Sequence, residues 1–127
     1  MNPYASPQAY RESSVLTASP EQLVVMLYDG VGRFLRQAEV LLREGGYEQA
    51  HERMNRGEAI IDELLATLDM DQGQVAERLQ AIYVYCKRCL TEARAERSPD
   101  KVSLVVRLLG ELRDAWAQVA TTSAAVA

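Results

Sequence analysis

The sequence is poor in the residues that build metal, redox and disulfide sites. Its 127 residues include one histidine and two cysteines, Cys86 and Cys89. Two cysteines cannot supply a disulfide framework. A structural zinc site would need two further ligands, and histidine can supply only one of them. A glycine-rich phosphate loop, a nucleophile elbow and a catalytic cysteine–histidine set are also missing. These absences argue against an enzyme and against a bound cofactor.

Long apolar runs and an excess of positive charge are missing as well. No apolar run approaches the length of a membrane-spanning helix, and the first residues lack the basic and apolar regions of a secretory signal. With 14 Lys and Arg against 18 Asp and Glu, the formal net charge is -4, so non-specific attraction to nucleic acid or anionic lipid is not expected. We therefore expect a cytoplasmic protein that binds no nucleic acid and does not insert into membranes.

Glycine and proline divide the chain into segments of helical length. The β-branched alternation and hairpin turns of a sheet are absent, and the segments are about 20 residues long with short links, as in helical bundles. The dividing residues are Pro20, Gly45, Gly46, Gly73 and Pro99. The sequence predicts an all-α protein, an antiparallel up-and-down four-helix bundle.

The bundle is expected to occupy residues 19–120. Residues 1–18 form a polar N-terminal arm, predicted to be mobile or to hold a short extra helix, and residues 121–127 are predicted to fray because they lack caps and charge patterning. Ser19 and Ser98 are predicted N-caps, each followed by a proline that suits the first helical turn. Gln22 can complete a capping box with Ser19, and Gly45 is expected to end the first helix in the left-handed conformation.

Apolar residues recur at helical spacing in every segment. The predicted seam of the third helix is Val75, Leu79, Ile82, Cys86, Cys89 and Ala93, and that of the fourth is Val102, Val105, Leu109, Leu112, Trp116 and Val119. The Cys-x-x-Cys spacing also matches a redox or zinc pair, but it lies mid-helix on this seam, so we interpret both cysteines as small core residues.

Other residues allow two interpretations. His51 completes a Glu-x-x-His element of di-iron bundles, but those sites need the element on two helices, so a solvated surface histidine is predicted. Gly30, Gly32 and Gly57 interrupt predicted helices. They indicate either close helix packing or a groove that a partner backbone approaches. Tyr28, Tyr83 and Tyr85 likewise allow two interpretations, because each ring is either buried or offers contact area to a partner.

Several stretches resemble the flagellar secretion chaperone FliS family. They are Val15 to Leu23, Met26-Leu27-Tyr28-Asp29-Gly30, Arg33-Phe34-Leu35, Leu68-Asp69, Ile82-Tyr83 and Glu111 to Trp116, with Tyr10 upstream. The resemblance covers nearly the whole chain. It implies an antiparallel helical bundle that binds the C-terminal segment of flagellin, blocks premature polymerisation and holds the subunit ready for the flagellar type III export apparatus, without using ATP.

The resemblance also implies a binding surface. The family's mobile N-terminal segment falls on Tyr4 to Tyr10, and its opening-helix surface falls on Leu23, Met26, Leu27, Tyr28 and Arg33. Gly32 departs from the larger apolar residue expected at its position. A monomer or weak homodimer is expected. The alternative is a general helical adaptor or regulatory module that binds another partner's amphipathic helix.

Overall fold

The fold is the predicted all-α bundle. The computed structural model describes residues 17–126, with side chains described as far as residue 122. Its four helices are α1 (Pro20–Arg43), α2 (Tyr47–Thr67), α3 (Gln74–Glu96) and α4 (Pro99–Val126), and a 3₁₀ turn (Met70–Gln72) lies between α2 and α3. No strand occurs in the described part of the chain. α1 and α3 each pack between α2 and α4.

Cross-helix contacts establish that neighbouring helices are antiparallel. Asp29 pairs with Arg113 and Arg43 with Asp100, so α4 descends as α1 ascends. The Asp62–Lys87 ion pair and the Asn55–Arg94 hydrogen bond give the same order for α2 and α3. The antiparallel arrangement agrees with the short links between the helices.

The predicted helix ends are confirmed. The Ser19 hydroxyl accepts from the Gln22 backbone N–H at 3.1 Å, and the Gln22 side chain accepts from the Ser19 backbone N–H at 2.8 Å, which completes the capping box. Gly45 has φ of 83°, the left-handed conformation expected after α1. At α4, Ser98 caps the Lys101 backbone N–H at 3.2 Å. Local sequence therefore determines where these helices begin and end.

Two glycines bring α1 and α2 into close contact. A Cβ at Gly57 would lie 2.8 Å from Leu35 Cδ2, and a Cβ at Gly30 would lie 3.1 Å from Ile60 Cδ1. Both contacts cross the α1–α2 interface, where a side chain would separate the helices. Of the two interpretations of these glycines, close helix packing is therefore correct, and Gly30 and Gly57 are not part of a partner groove.

The predicted seams hold only in part. Cys86, Cys89 and Ala93 are buried on α3 as predicted, and so are Val102, Val105 and Leu109 on α4. Val75 and Val119, however, are 66% and 48% exposed, while Leu112 and Trp116 are half-buried. The buried positions at the start of α3 are instead Ala76 and Tyr83. Val75 and Val119 are the first and last residues of the two predicted seams, where the neighbouring helices leave them open to solvent.

The end of α4 also differs from expectation. The segment predicted to fray is helical as far as Val126. The Thr121 and Thr122 hydroxyls each donate to a backbone carbonyl one turn earlier at 2.9 Å, and Ala120 is buried against the bundle. The helix therefore continues beyond the predicted boundary at residue 120. The division into arm, bundle and tail is otherwise still a prediction.

Candidate functional site: an apolar groove across the four helices

An apolar groove lies at the end of the bundle where α1 begins and α2 ends. It encloses about 620 Å³ and receives side chains from all four helices and from the link between α2 and α3. Its lining residues are Pro20, Leu23, Val24, Leu27, Thr67, Leu68, Asp69, Gln72, Val75, Ala76, Leu79, Tyr83 and Trp116. We call this surface the apolar groove.

The link between α2 and α3 forms one rim of this groove. The Asp69 carboxylate accepts from the Asp71 backbone N–H at 3.0 Å and caps the start of the 3₁₀ turn, and the Gln72 backbone N–H donates to the Asp69 carbonyl at 3.0 Å to close it. Gly73, with φ of 77°, then turns the chain into α3. The next residue but one, Val75, lines the groove and is 66% exposed. An apolar side chain is thus held open to solvent by a defined turn.

A buried tyrosine pair lies at the base of the groove. Tyr28 of α1 and Tyr83 of α3 are each 2% exposed, their hydroxyls are hydrogen-bonded to each other, and their ring centroids are 6.4 Å apart. Burial raises the pKa of both hydroxyls, so both stay neutral, and each satisfies the other's polar group. Of the two rings, Tyr83 reaches the groove lining.

This arrangement corrects one predicted contact. Tyr28 was expected on the binding surface but is buried beneath it, because its hydroxyl finds a partner inside the bundle. Burial also proved correct for Tyr83, whereas Tyr85 is 45% exposed on the outside of α3. Tyr28 can therefore shape the groove through Tyr83 but cannot touch an occupant.

The other predicted contact residues separate onto different surfaces. Leu23 and Leu27 line the apolar groove. Met26 lines a second cavity of about 580 Å³ between α1 and α4, together with Val25 and Ala120. Arg33 is exposed farther along α1 and lines neither cavity. Tyr4 and Tyr10 lie outside the described residues.

Sequence reasoning missed much of the lining. Val75, Leu79 and Trp116 were assigned to the core seams, yet all three line the groove, and so does Leu68, which the sequence marked within the family resemblance. A helical stripe does not reveal whether a neighbouring helix covers it. The signal that could have identified two of them is their position: Val75 lies in the first turn of α3 and Leu68 directly follows the last residue of α2, at the end of the bundle.

Chemistry at the remaining candidate residues is limited. Burial, followed by the nearby Cys89, raises the pKa of the Cys86 thiol to about 12, which keeps it protonated and unreactive near neutral pH. Within the described part of the chain, no cluster of three His, Cys, Asp or Glu side chains could hold a metal ion. Among the same residues, no helix is long and apolar enough to cross a membrane.

His51 is less exposed than predicted. The ring is half-buried, and its Nε2 atom is buried without a hydrogen-bond partner. The prediction of a solvated surface histidine is therefore wrong for this atom, because the fold shields it from solvent.

Comparison with known proteins gives a consistent match. Residues 2–123 match the family model described as flagellar protein FliS. The chain is 34% identical over 112 residues to the flagellar secretion chaperone FliS of Campylobacter jejuni, covering 87% of this chain and 88% of that protein. It is 34% identical over 110 residues to the protein of that name from Salmonella typhimurium, covering 85% and 82%. For the Bacillus subtilis protein the identity is 32% over 117 residues, covering 92% and 85%.

A solved structure agrees with the fold. The crystal structure of a flagellar chaperone from bacteria superposes with a TM-score of 0.74 at 20% sequence identity, covering 88% of this chain and 94% of that one. At this identity the likeness supports the helical bundle alone.

Proposed function

The chain belongs to the FliS family of flagellar secretion chaperones, and on that premise we propose that it binds the C-terminal segment of flagellin in the apolar groove. Binding would prevent premature polymerisation and keep the subunit competent for flagellar type III export. The observation that carries this proposal is an open groove whose exposed apolar walls, Leu23 and Val75 among them, have no partner within the described residues.

The form of the groove suits an amphipathic segment. Its walls come from four helices, and the described residues contain no strand edge that could accept an added strand. An occupant is therefore expected to bind through apolar side chains on helical or extended pieces. Trp116, half-buried in the lining, provides aromatic contact area, the kind of residue that carries much of the binding energy at protein interfaces.

Sequestering a tail in this way has a physical logic. A subunit whose apolar tail is exposed associates with its copies, and a groove that covers the tail removes that surface. Ordering the tail costs about 2–5 kcal/mol, which burial of roughly 1,000–3,000 Å² can offset. The same cost favours release at the export apparatus, so binding would be strong enough to protect and still reversible.

Met26 and Arg33 enter the proposal differently. The cavity at Met26 adjoins the start of α1 and can receive a second piece of the same tail. Arg33 lines neither cavity, and we leave it outside the proposed contact surface. The protein would act without catalysis, in the cytoplasm, on flagellin and the export apparatus as partners.

A matched pair of variants tests the groove. Val75→Glu places a charge in the groove lining, whereas Val84→Glu places the same charge on an exposed site of α3 that does not line the groove. A synthetic flagellin C-terminal segment, titrated against the full chain, should bind with a negative heat-capacity change and rising helicity. Trp116 is the single tryptophan and lines the groove, so its fluorescence should report the same event.

We expect Val75→Glu to weaken binding by about tenfold or more, in keeping with an unpaired charge buried at an interface. Val84→Glu should stay within about twofold, as for a surface change away from the contact. Affinity should depend weakly on salt because the lining is mainly apolar. Absence of binding by the folded full-length chain at high micromolar concentration would reject the chaperone proposal and favour the general helical adaptor.

The N-terminal arm requires its own test. We propose that the segment carrying Tyr4 and Tyr10 competes for the binding surface, as the family resemblance implies. Removing residues 1–13 should change affinity for the flagellin segment and leave helicity intact. Unchanged affinity in the shortened chain would exclude the arm from the site and leave the groove proposal standing.

A further inference from the structure

A second groove with different chemistry lies on the outer face of α1 and α2. It encloses about 570 Å³. Its lining residues are Arg36, Gln37, Val40 and Leu41 of α1 and Gln49, Glu52 and Arg53 of α2. We call it the arginine groove. It shares no lining residue with the apolar groove, and the rise along α1 from Leu27 to Arg36 is about 14 Å. An occupant of one groove therefore need not touch the other.

The arginine groove holds positive charge that the protein does not neutralise. Within the described residues Arg36 and Arg53 form no ion pair, whereas the groove's acidic residue, Glu52, pairs with Arg56 at 3.4 Å. Arg56 also lies over the Phe34 ring, with its guanidinium carbon 5.8 Å from the ring centroid. Two guanidinium groups in the groove lining thus have no carboxylate paired with them among the described residues, in a chain whose formal net charge is -4.

Gly32 gives the Arg36 guanidinium its position. A Cβ at Gly32 would lie 2.9 Å from Arg36 Nη1 and 3.3 Å from its Cζ, so the guanidinium occupies the space that a side chain at residue 32 would take. Gly32 lies in mid-helix, where glycine costs about 1 kcal/mol relative to alanine. At this position, where the sequence departs from a larger apolar residue, the Arg36 guanidinium thus fills the room that the absent side chain leaves.

Apolar and amide groups complete the groove. Val40 is 53% exposed and Leu41 is half-buried beside it, and Gln37 and Gln49 contribute amides from the two helices. Carboxylates suit the guanidinium groups, an aliphatic side chain suits Val40 and Leu41, and two helices that form a shallow trough commonly accept a third.

We propose that the arginine groove docks an acidic amphipathic helix of a second partner protein, independently of the apolar groove. Charge complementarity selects this occupant. Nucleic acid or an anionic membrane would have to approach a chain with net negative charge through a concave patch, with the acidic Glu44 and Glu48 exposed at the turn where the two helices meet. An acidic helix needs only the local pair of arginines and one apolar anchor.

A designed peptide provides the probe. It is a capped helical peptide with glutamates at i and i+4 on either side of a leucine on one face, and its control carries glutamine for each glutamate. The test variant is Arg36→Gln with Arg53→Gln. The matched control is Arg88→Gln with Arg107→Gln, which removes the same charge from exposed sites on α3 and α4. Gly32→Ala keeps every charge but takes the space of the Arg36 guanidinium.

We expect the wild-type chain to bind the glutamate peptide more tightly at low salt than at high salt. It should bind the glutamine peptide far more weakly than the glutamate peptide. Arg36→Gln with Arg53→Gln should lower the affinity for the glutamate peptide about tenfold, as for two lost ion pairs at an interface. The affinity of the matched control should stay within about twofold of the wild-type value. Gly32→Ala should lower the affinity for the glutamate peptide to an intermediate extent. Circular dichroism should confirm that all variants remain helical.

Other results would overturn the proposal. Equal losses in both double variants would mean that overall charge, not this groove, attracts the peptide. Tighter binding of a single-stranded oligonucleotide or of phosphatidylserine vesicles, lost with Arg36 and Arg53, would assign the site to that ligand instead. Self-association abolished by the same change would make a second copy the occupant. Flagellin-segment binding should be unchanged in Arg36→Gln with Arg53→Gln, so this proposal and the chaperone proposal fail separately.

Discussion

Glycine to alanine substitutions at two helical sites test how the bundle is packed. Gly57 of α2 faces the fully buried Leu35, and an added Cβ would lie 2.8 Å from Leu35 Cδ2 and 3.1 Å from its Cγ. Gly110 of α4 is exposed, and an added Cβ there would meet nothing within 4 Å. The same chemical change is therefore made once against a packed interface and once into open space.

The expected magnitudes follow from two opposing effects. Alanine in place of a mid-helix glycine favours the helix by about 1 kcal/mol at either site. At Gly57 the buried Leu35 cannot move aside freely, and overpacking of this kind costs about 1–3 kcal/mol. Gly57→Ala should therefore destabilise the protein by about 1 kcal/mol net, while Gly110→Ala should stabilise it by up to about 1 kcal/mol.

Urea denaturation followed by circular dichroism measures both variants against the parent chain. The expected gap between them, about 2 kcal/mol, corresponds to roughly 8 °C in melting temperature for a domain of this size. If Gly57→Ala were as stable as Gly110→Ala, the close α1–α2 contact would be wrong. The interpretation of Gly57 as an opening for a partner would then return.

Three further predictions concern the core. Leu109→Ala should lower the free energy of unfolding by about 2–5 kcal/mol in urea, and a loss below about 0.5 kcal/mol would contradict its burial. Cys86→Ala with Cys89→Ala should keep its helicity and flagellin binding, since burial holds the Cys86 pKa at about 12; loss of binding alone would indicate a redox or metal role. Burial raises the pKa of Tyr28 and Tyr83, so as pH rises the unfolded chain loses these two protons before the folded chain does. The free energy of unfolding should therefore fall above pH 10.0, and urea denaturation at increasing alkaline pH would measure the fall.

Local chemistry made the helix ends predictable from sequence. The capping box at Ser19 and Gln22 involves residues three apart, and the left-handed turn at Gly45 involves a single residue. Nothing distant competes with these interactions, so their sequence pattern is sufficient. The buried stripe in the first half of α4, at Val102, Val105 and Leu109, was predictable for a related reason, since its spacing of three and four residues places these side chains on one face of the helix.

The apolar groove could not be predicted in the same way, because it forms where no neighbouring helix covers an apolar side chain. Val75 and Cys86 belong to one predicted seam, yet one is 66% exposed and the other fully buried. The difference lies in the neighbouring helices, which cover Cys86 and leave Val75 open. Tyr28 and Tyr83 illustrate the converse: their hydroxyls suggest a surface, but each becomes the other's partner in the interior, 55 residues apart in sequence.

The phase of α1 explains how one helix can serve the core and two separate surfaces. Its buried residues recur at spacings of three and four: Tyr28, Val31, Leu35, Ala38 and Leu42. Leu23 and Leu27 lie in the first two turns, before the other helices close over the stripe, and so enter the apolar groove. Arg36 and Val40 lie one turn apart on the opposite edge and enter the arginine groove. Because the two grooves share no residue, changes at the exposed positions of one groove should leave the other groove intact, which makes the two binding proposals separable by mutation.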